Sequence, residues 1–276
     1  MNIKKIILSS LKYIALLLWV FIIFFPLITV FFGAFKTSSE FINTSGITPP
    51  ENFFNFDNFK RAFINGKMLI GFINTFIILL FGVIGSVLVG SLVAFTINRF
   101  NFKFKKTIVA MYLLVSIVPL EVSQVATFKV INALGLYNTR FAAIVIYLGA
   151  DVLMMFIYLQ NLEKIPRDLD KAALLEGASY FEVYRNVVFP LLKPATATVC
   201  MIKTIAIYND FYIPFLYMPS PKLKTLSTTL FNFIGIDMVE WHVICAAIII
   251  SMIPMIIFFI FLQKYIYKGL TAGGIK

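Results

Sequence analysis

Few of the 276 residues in this chain carry groups able to do chemistry, and their placement is unusual. Glu121, Asp151, Lys203 and Asp210 are ionisable residues set inside long apolar runs. Each costs about 2.5–3.5 kcal/mol at the centre of a bilayer unless it faces protein or water. At a helical rise of 1.5 Å per residue, Asp151 and Lys203 lie roughly 15 Å and roughly 12 Å from opposite ends of neighbouring runs. In a hydrocarbon core about 30 Å thick those depths nearly coincide, so the two are expected to neutralise one another as a structural pair. Glu121 and Asp210 fall nearer the mouth, where water solvates them. Cys200 and Cys245 lack the spacing of a disulfide or metal pair, and the single His242 reads as an interfacial residue beside Trp241. No metal and no cofactor is expected. The chain has no Gly-x-x-x-x-Gly-Lys-Ser/Thr loop to cradle phosphates, no H-E-x-x-H and no G-x-S-x-G, so it is expected not to be an enzyme by itself.

The elements that must hold these residues are set by composition. The chain is 60% hydrophobic and 13% charged, with a mean hydropathy of +0.91. A soluble domain is nearer a quarter charged, so lipid has to cover the excess. Six apolar runs approach or exceed the roughly 20 residues that cross a bilayer: 13–32, 68–97, 107–128, 141–159, 195–217 and 243–262. They lack the alternation of a β-barrel, which leaves helices. The fold expected is therefore all-α, a polytopic membrane protein of six transmembrane helices. The basic N-terminal stretch resembles a signal peptide, but its apolar segment is too long and is read as a retained first span.

The net charge of +11 does not point to nucleic acid, because the basic residues sit in short loops between spans. Stretches 1–12, 99–106, 161–193 and 264–276 hold 15 Lys or Arg, against 8 in stretches 36–67, 129–140 and 219–240 of equal total length. By the positive-inside rule both termini are expected in the cytoplasm. The expected division is 1–67, a first span with its external loop, and 68–276, a transmembrane domain holding the cytoplasmic loop 161–193. Gly82, Ser86, Gly90 and Ala94 form a small-residue stripe on the second span that suits close helix packing.

The loop 161–193 carries the strongest local signals. Pro166 suits a first helical turn, Asp168 and Asp170 complement the helix dipole, and Gly177 can end the helix in the left-handed conformation. Ser179 and Glu182 then spell a capping box for a second helix that Pro190 is expected to stop. Ala172, Ala173, Gly177 and Ala178 put small side chains around the corner, where another protein could approach the backbone. The same pattern also fits an amphipathic loop lying on lipid headgroups.

The run Leu-Asp-Lys-Ala-Ala-Leu-Leu-Glu-Gly-Ala-Ser at 169–179, with Phe189, Pro190, Leu191 and Pro194 after it, resembles the E-A-A loop of binding-protein-dependent ABC transporter permeases. Asn74-Thr75, Ile117-Val118-Pro119, Tyr208-Asn209-Asp210-Phe211 and the tail from Gly269 to Lys276 extend the resemblance over nearly the whole chain, toward the shorter permease type of carbohydrate uptake. The resemblance implies a type I ABC importer permease fold, with 166–190 as the coupling element seated in an ATPase subunit. It assigns that contact to Asp170, Lys171, Ala172, Ala173, Glu176, Gly177, Ala178 and Ser179. It also implies a second homologous permease subunit, two cytoplasmic ATPase subunits and an extracellular solute-binding protein that meets the loop 219–240. The tail would reach between the ATPases, and Tyr208, Asn209 and Asp210 would lie by the translocation path, with Phe211 and Tyr212 adding aromatic faces. Lys171 stands where the family has glutamate and Glu176 where it has aspartate, so the ATPase surface opposite Lys171 is expected to be acidic or neutral. The rival readings are an ion-coupled secondary carrier, which calls for inverted repeats and broken helices, and a membrane scaffold.

Overall fold

The computed structural model describes residues 3–149, 151–234 and 239–274. In chain order its helices are α1 (Ile3–Phe35), α2 (Ser38–Asn43), α3 (Asp57–Asn65), α4 (Met68–Arg99), α5 (Lys105–Ile117), α6 (Leu120–Ala133), α7 (Arg140–Leu148) and α8 (Val152–Leu162). There follow α9 (Arg167–Leu175), α10 (Tyr180–Glu182), α11 (Phe189–Leu191), α12 (Lys193–Asn209), α13 (Tyr212–Tyr217), α14 (Leu226–Thr229) and α15 (Trp241–Gly274). Among the described residues, stretches of α1, α4 and α15 are each long and apolar enough to cross a bilayer unbroken, and counting each of three bent helix pairs as one span brings the number to six. The chain divides into two compact units, Met1–Leu69 with Thr229–Met255, and Ile70–Thr228 with Ile256–Lys276.

In the first unit the end of α1 is closed by side chains. The last carbonyls of a helix have no partner within it. Here Asn58 Nδ2 donates to Ala34 O (2.9 Å) and Lys36 O (2.7 Å), and Asn55 Nδ2 to Phe35 O (3.1 Å). Lys36, only 1% exposed, donates from Nζ to Thr44 Oγ1 and Ser45 O, both at 2.8 Å. The Phe35 ring packs among Phe31, Phe53, Phe56 and Phe59, with centroids 5.0–6.0 Å away. Arg61 of α3 forms an ion pair with Glu240. The membrane stretch of α1 has no buried face in this chain, so its apolar side chains from Leu11 to Phe25 are bare.

The second unit has the larger core, with Tyr147, Met154, Tyr158, Val183, Val188, Leu192 and Val199 among its buried residues. The small-residue stripe of α4 faces α7 and α8. Ser86 Oγ donates to Tyr147 O, and a Cβ on Gly82 would meet Tyr147 Cβ at 3.4 Å and Ile207 Cδ1 at 3.1 Å. Two sequence expectations are corrected. The third run is not one straight helix. Its axis turns by 113° at Val118-Pro119, where Val118 is extended (ψ 121°) as the residue before proline tends to be. Nor does Pro190 stop the helix begun at Ser179. The chain passes from α10 through a π-helical stretch, Val183–Val188, into α11, which contains Pro190. A π turn is wider than an α turn, so it gives the ring room that a regular preceding turn would deny it. The bend comes two residues later, at Leu192, where the axis turns by 77° into α12.

Asn58→Ala would leave two helix-end carbonyls of α1 without their donor, at about 1–3 kcal/mol for each that water cannot reach. The expected outcome is a clearly lower unfolding midpoint for the purified chain in detergent, read by thermal shift; an unchanged midpoint would refute the capping role.

Candidate functional site

The corner around Gly177 is built by local rules. Pro166 precedes α9, and Gly177 (φ +90°) follows its cap residue, Glu176. Ala178 N–H bonds back to Ala173 O (3.0 Å) and Gly177 N–H to Leu174 O (3.1 Å), the Schellman closure that a left-handed residue permits. Ser179 Oγ then accepts from Glu182 N–H (3.3 Å), while Ser179 N–H donates to Glu182 Oε2 (2.7 Å).

This corner is fastened to the end of α4. Arg99, the last residue of α4, places Nε 2.6 Å from Asp170 Oδ2, and both side chains are buried. The contact is an ion pair off the N–H axis, and Asp170 Oδ1 is buried without a hydrogen-bond partner among the described residues. Arg99 Nη2 also donates to Ile165 O (3.1 Å), and Arg167 Nη2 to Asn98 O (2.7 Å). About two turns back along α4, Ser91 Oγ and Tyr184 Oη lie 2.7 Å apart, and rings continue the seam from Phe95 to Tyr184 (5.4 Å) and from Phe100 to Tyr180 (4.9 Å).

The residues singled out in the loop therefore divide. Asp170 turns inward to Arg99 and is not free to meet a partner, because its charge is spent on α4. Ala173 and Ala178 pack against the chain's own core. Lys171, Ala172, Glu176, Gly177 and Ser179 are exposed, and Lys171 Nζ is paired with Asp168 Oδ1 (2.9 Å). That hydrogen bond and the ammonium's charge hold the Asp168 carboxyl below its usual range. Missed from sequence were the exposed apolar groups of the corner, Leu175 (90% exposed), Tyr180 and Phe181 (62%). Leu175 could have been found as an apolar residue just before a helix-ending glycine.

Within the apolar helices, Lys203 Nζ lies 2.9 Å from Asp151 Oδ2, while Asp151 Oδ1 accepts from Met154 N–H (2.7 Å) and caps α8. Asp210 is not merely solvated. It accepts from Tyr147 Oη (2.7 Å) and Ile213 N–H (3.1 Å), and its carbonyl accepts from Ser227 Oγ (2.7 Å). Tyr208 is half-buried, and Asn209 is exposed. The side chain of Glu121 lies outside the described residues, as do residues 275 and 276 and the side chains of the tail before them. Asn74 and Thr75 act as a clamp. Asn74 Nδ2 donates to Lys222 O and Lys224 O (3.0 and 2.9 Å), Asn74 Oδ1 accepts from Arg140 Nε (2.7 Å), and Thr75 Oγ1 accepts from Leu226 N–H (3.0 Å).

Removing one partner of a buried ion pair costs about 3–5 kcal/mol. Arg99→Ala is therefore expected to raise amide hydrogen exchange across residues 167–176 well above that of α4, with the exchange largely restored when Asp170→Ala is added. Unchanged protection of α9 would show that the pair does not hold it.

These features have counterparts among known proteins. Residues 86–272 match the family described as binding-protein-dependent transport system inner membrane component. The chain is 34% identical over 223 residues to the melibiose/raffinose/stachyose import permease protein MelC of Bacillus subtilis, covering 80% of this chain and 81% of that one. It is 30% identical to the galactooligosaccharides transport system permease protein GanQ of the same organism, over 100% and 98% of the two chains. Its fold matches a chain from the crystal structure of a bacterial ABC transporter involved in import of the acidic polysaccharide alginate, with a TM-score of 0.85 over 96% and 98% of the chains at 18% identity. With the helix pair, the broken spans and the family match in agreement, the chain belongs to the inner-membrane permease components of binding-protein-dependent ABC transport systems.

Proposed function

We propose that this chain is one permease half of an ATP-driven importer of sugars or oligosaccharides, working with a second homologous permease, two cytoplasmic ATPases and an extracellular solute-binding protein. The observation that carries the mechanism is the division of the corner at Gly177 into an inner face bound to α4 and an outer face that offers Leu175 and Phe181. An ATPase cleft would close over those two side chains, and the buried Arg99–Asp170 pair would pass its movement into α4. Because Lys171 is already paired with Asp168, it presents the ATPase with a nearly neutral group, which fits an acidic or neutral surface opposite it. The distribution of Lys and Arg supports a cytoplasmic side for both termini. The division at residue 68 and the docking of loop 219–240 belong to the same reading.

On the path, Asn209 is the better candidate for touching sugar, since it is exposed and has no hydrogen-bond partner among the described residues. Asp210 would hold α12, α13 and α7 together beside it, and Tyr208 would border the same stretch. The Asp151–Lys203 pair would lower the cost of two charges within the bundle. Broken helices also occur in ion-coupled carriers. They do not favour that rival here, because the family of this chain takes its energy from separate ATPases.

The test is co-purification from membranes of the intact assembly. Leu175→Glu combined with Phe181→Glu is expected to abolish ATPase retention while leaving the chain folded, as judged by its elution profile. Full retention of ATPase by the folded double variant would contradict the docking face.

A further inference from the structure

The connection from α4 to α5, residues 100–104, reads Phe-Asn-Phe-Lys-Phe, and Lys105 and Lys106 then open α5. Its three rings do not share one environment. Phe100 packs into the corner, 4.9 Å from the Tyr180 ring, whereas Phe102 and Phe104 are 37% and 61% exposed. Neither of those two joins the hydrophobic core of the second unit. Lys103 Nζ lies 5.9 Å from the Phe104 ring centroid, so an ammonium and a bare ring share one face. Arg167 Nη2, donating to Asn98 O, holds a further cation at the end of α4. Among the described residues none of Lys103, Lys105, Lys106 and Arg167 is in an ion pair. The sequence has no Asp or Glu from residue 58 to residue 120 that could neutralise them locally.

The chain's own needs do not account for this set. Acidic side chains, not lysines, suit the first turn of a helix, so Lys105 and Lys106 do not serve α5. Membrane orientation accounts for lysines in a connecting loop but not for the bare rings between them. Water would solvate the ammonium groups and leave both rings uncovered. Zwitterionic lipid would cover the rings and offer the lysines no net negative charge. An anionic phospholipid does both: the acyl boundary takes the rings, and the headgroup phosphate takes the ammonium groups at the ends of their alkyl stems. The place fits, because the apolar stretch of α5 begins at Ile108, just after these lysines, which puts them at the edge of the bilayer. We infer that residues 102–106, together with Arg167, form a binding site for an anionic phospholipid such as phosphatidylglycerol. Phe100 ties the same loop to Tyr180, so lipid bound there would steady the corner at Gly177.

The experiment uses the full chain in lipid vesicles, with Phe104→Trp as reporter and the two native tryptophans removed by Trp19→Phe and Trp241→Phe. Quenching by phosphatidylglycerol with brominated acyl chains is compared with quenching by phosphatidylcholine carrying the same chains. Both lipids are expected to quench, with phosphatidylglycerol favoured at least about fivefold, as much as one lysine near an anionic surface supplies. Lys103→Gln, Lys105→Gln and Lys106→Gln together are expected to bring that ratio close to one while quenching persists. Inorganic phosphate in the buffer is expected to leave the preference in place. Equal quenching by the two lipids, a preference unchanged in the triple variant, or one abolished by inorganic phosphate would overturn the site. So would the absence of quenching by either lipid, or its loss when the ATPases are bound, because the loop would then face water or protein.

Discussion

A guanidinium and a carboxylate buried together at the end of α4 decide what the corner at Gly177 can do. Two charges taken out of water are costly singly and tolerable together, so Arg99 and Asp170 are far more stable in contact than apart. Asp170 sits in the first turn of α9, where a negative charge also suits the helix dipole. The consequence is mechanical. A short helix that would be marginal alone becomes an extension of a 32-residue helix about 48 Å long. Without that bond α9 would be held by the Arg167–Asn98 hydrogen bond, the Schellman closure and the packing of Ala173, Leu174 and Ala178.

The surrounding structure reinforces the same joint. The Ser91–Tyr184 contact and the rings of Phe95, Phe100 and Tyr180 bind the second short helix to α4 along the same stretch, so both arms of the corner move with one span. Leu192, where α11 gives way to α12, carries that arrangement into the next span through a 77° bend. At the other end of α12, Asp210 ties three helical segments together through Tyr147, Ile213 and Ser227. In the proposed importer, force entering at the corner would therefore have two routes through the second unit, one along α4 and one along α12.

Much of this was legible in the sequence where the cause is local. Gly177 in the left-handed conformation, the Ser179–Glu182 capping box and the start of α9 after Pro166 depend on a few adjacent residues, and they stand where those residues put them. The six apolar runs were also readable, because hydropathy sums over a whole span. What escaped was non-local or hidden by competing signals. Arg99 and Asp170 lie 71 residues apart, and nothing in either segment names the other. The π-helical stretch offset a proline whose local meaning is a stop, and the turn at Val118-Pro119 was concealed by hydropathy that runs unbroken across it. Asn74 and Thr75 stood out only as part of a resemblance; their work as a clamp on residues 222–226 needed coordinates.

The central claim is that the corner and α4 move as one body when the motor closes. Double electron–electron resonance on the assembled transporter tests this directly, with spin labels at Asn101→Cys and Asn186→Cys in a background where Cys200 and Cys245 are replaced by serine. The distance between the two labels is predicted to stay constant when ATP is added, while the distance from Asn186→Cys to a label on the partner permease changes. A change in the Asn101-to-Asn186 distance on adding ATP would show that the corner swings free of α4 and contradict the account.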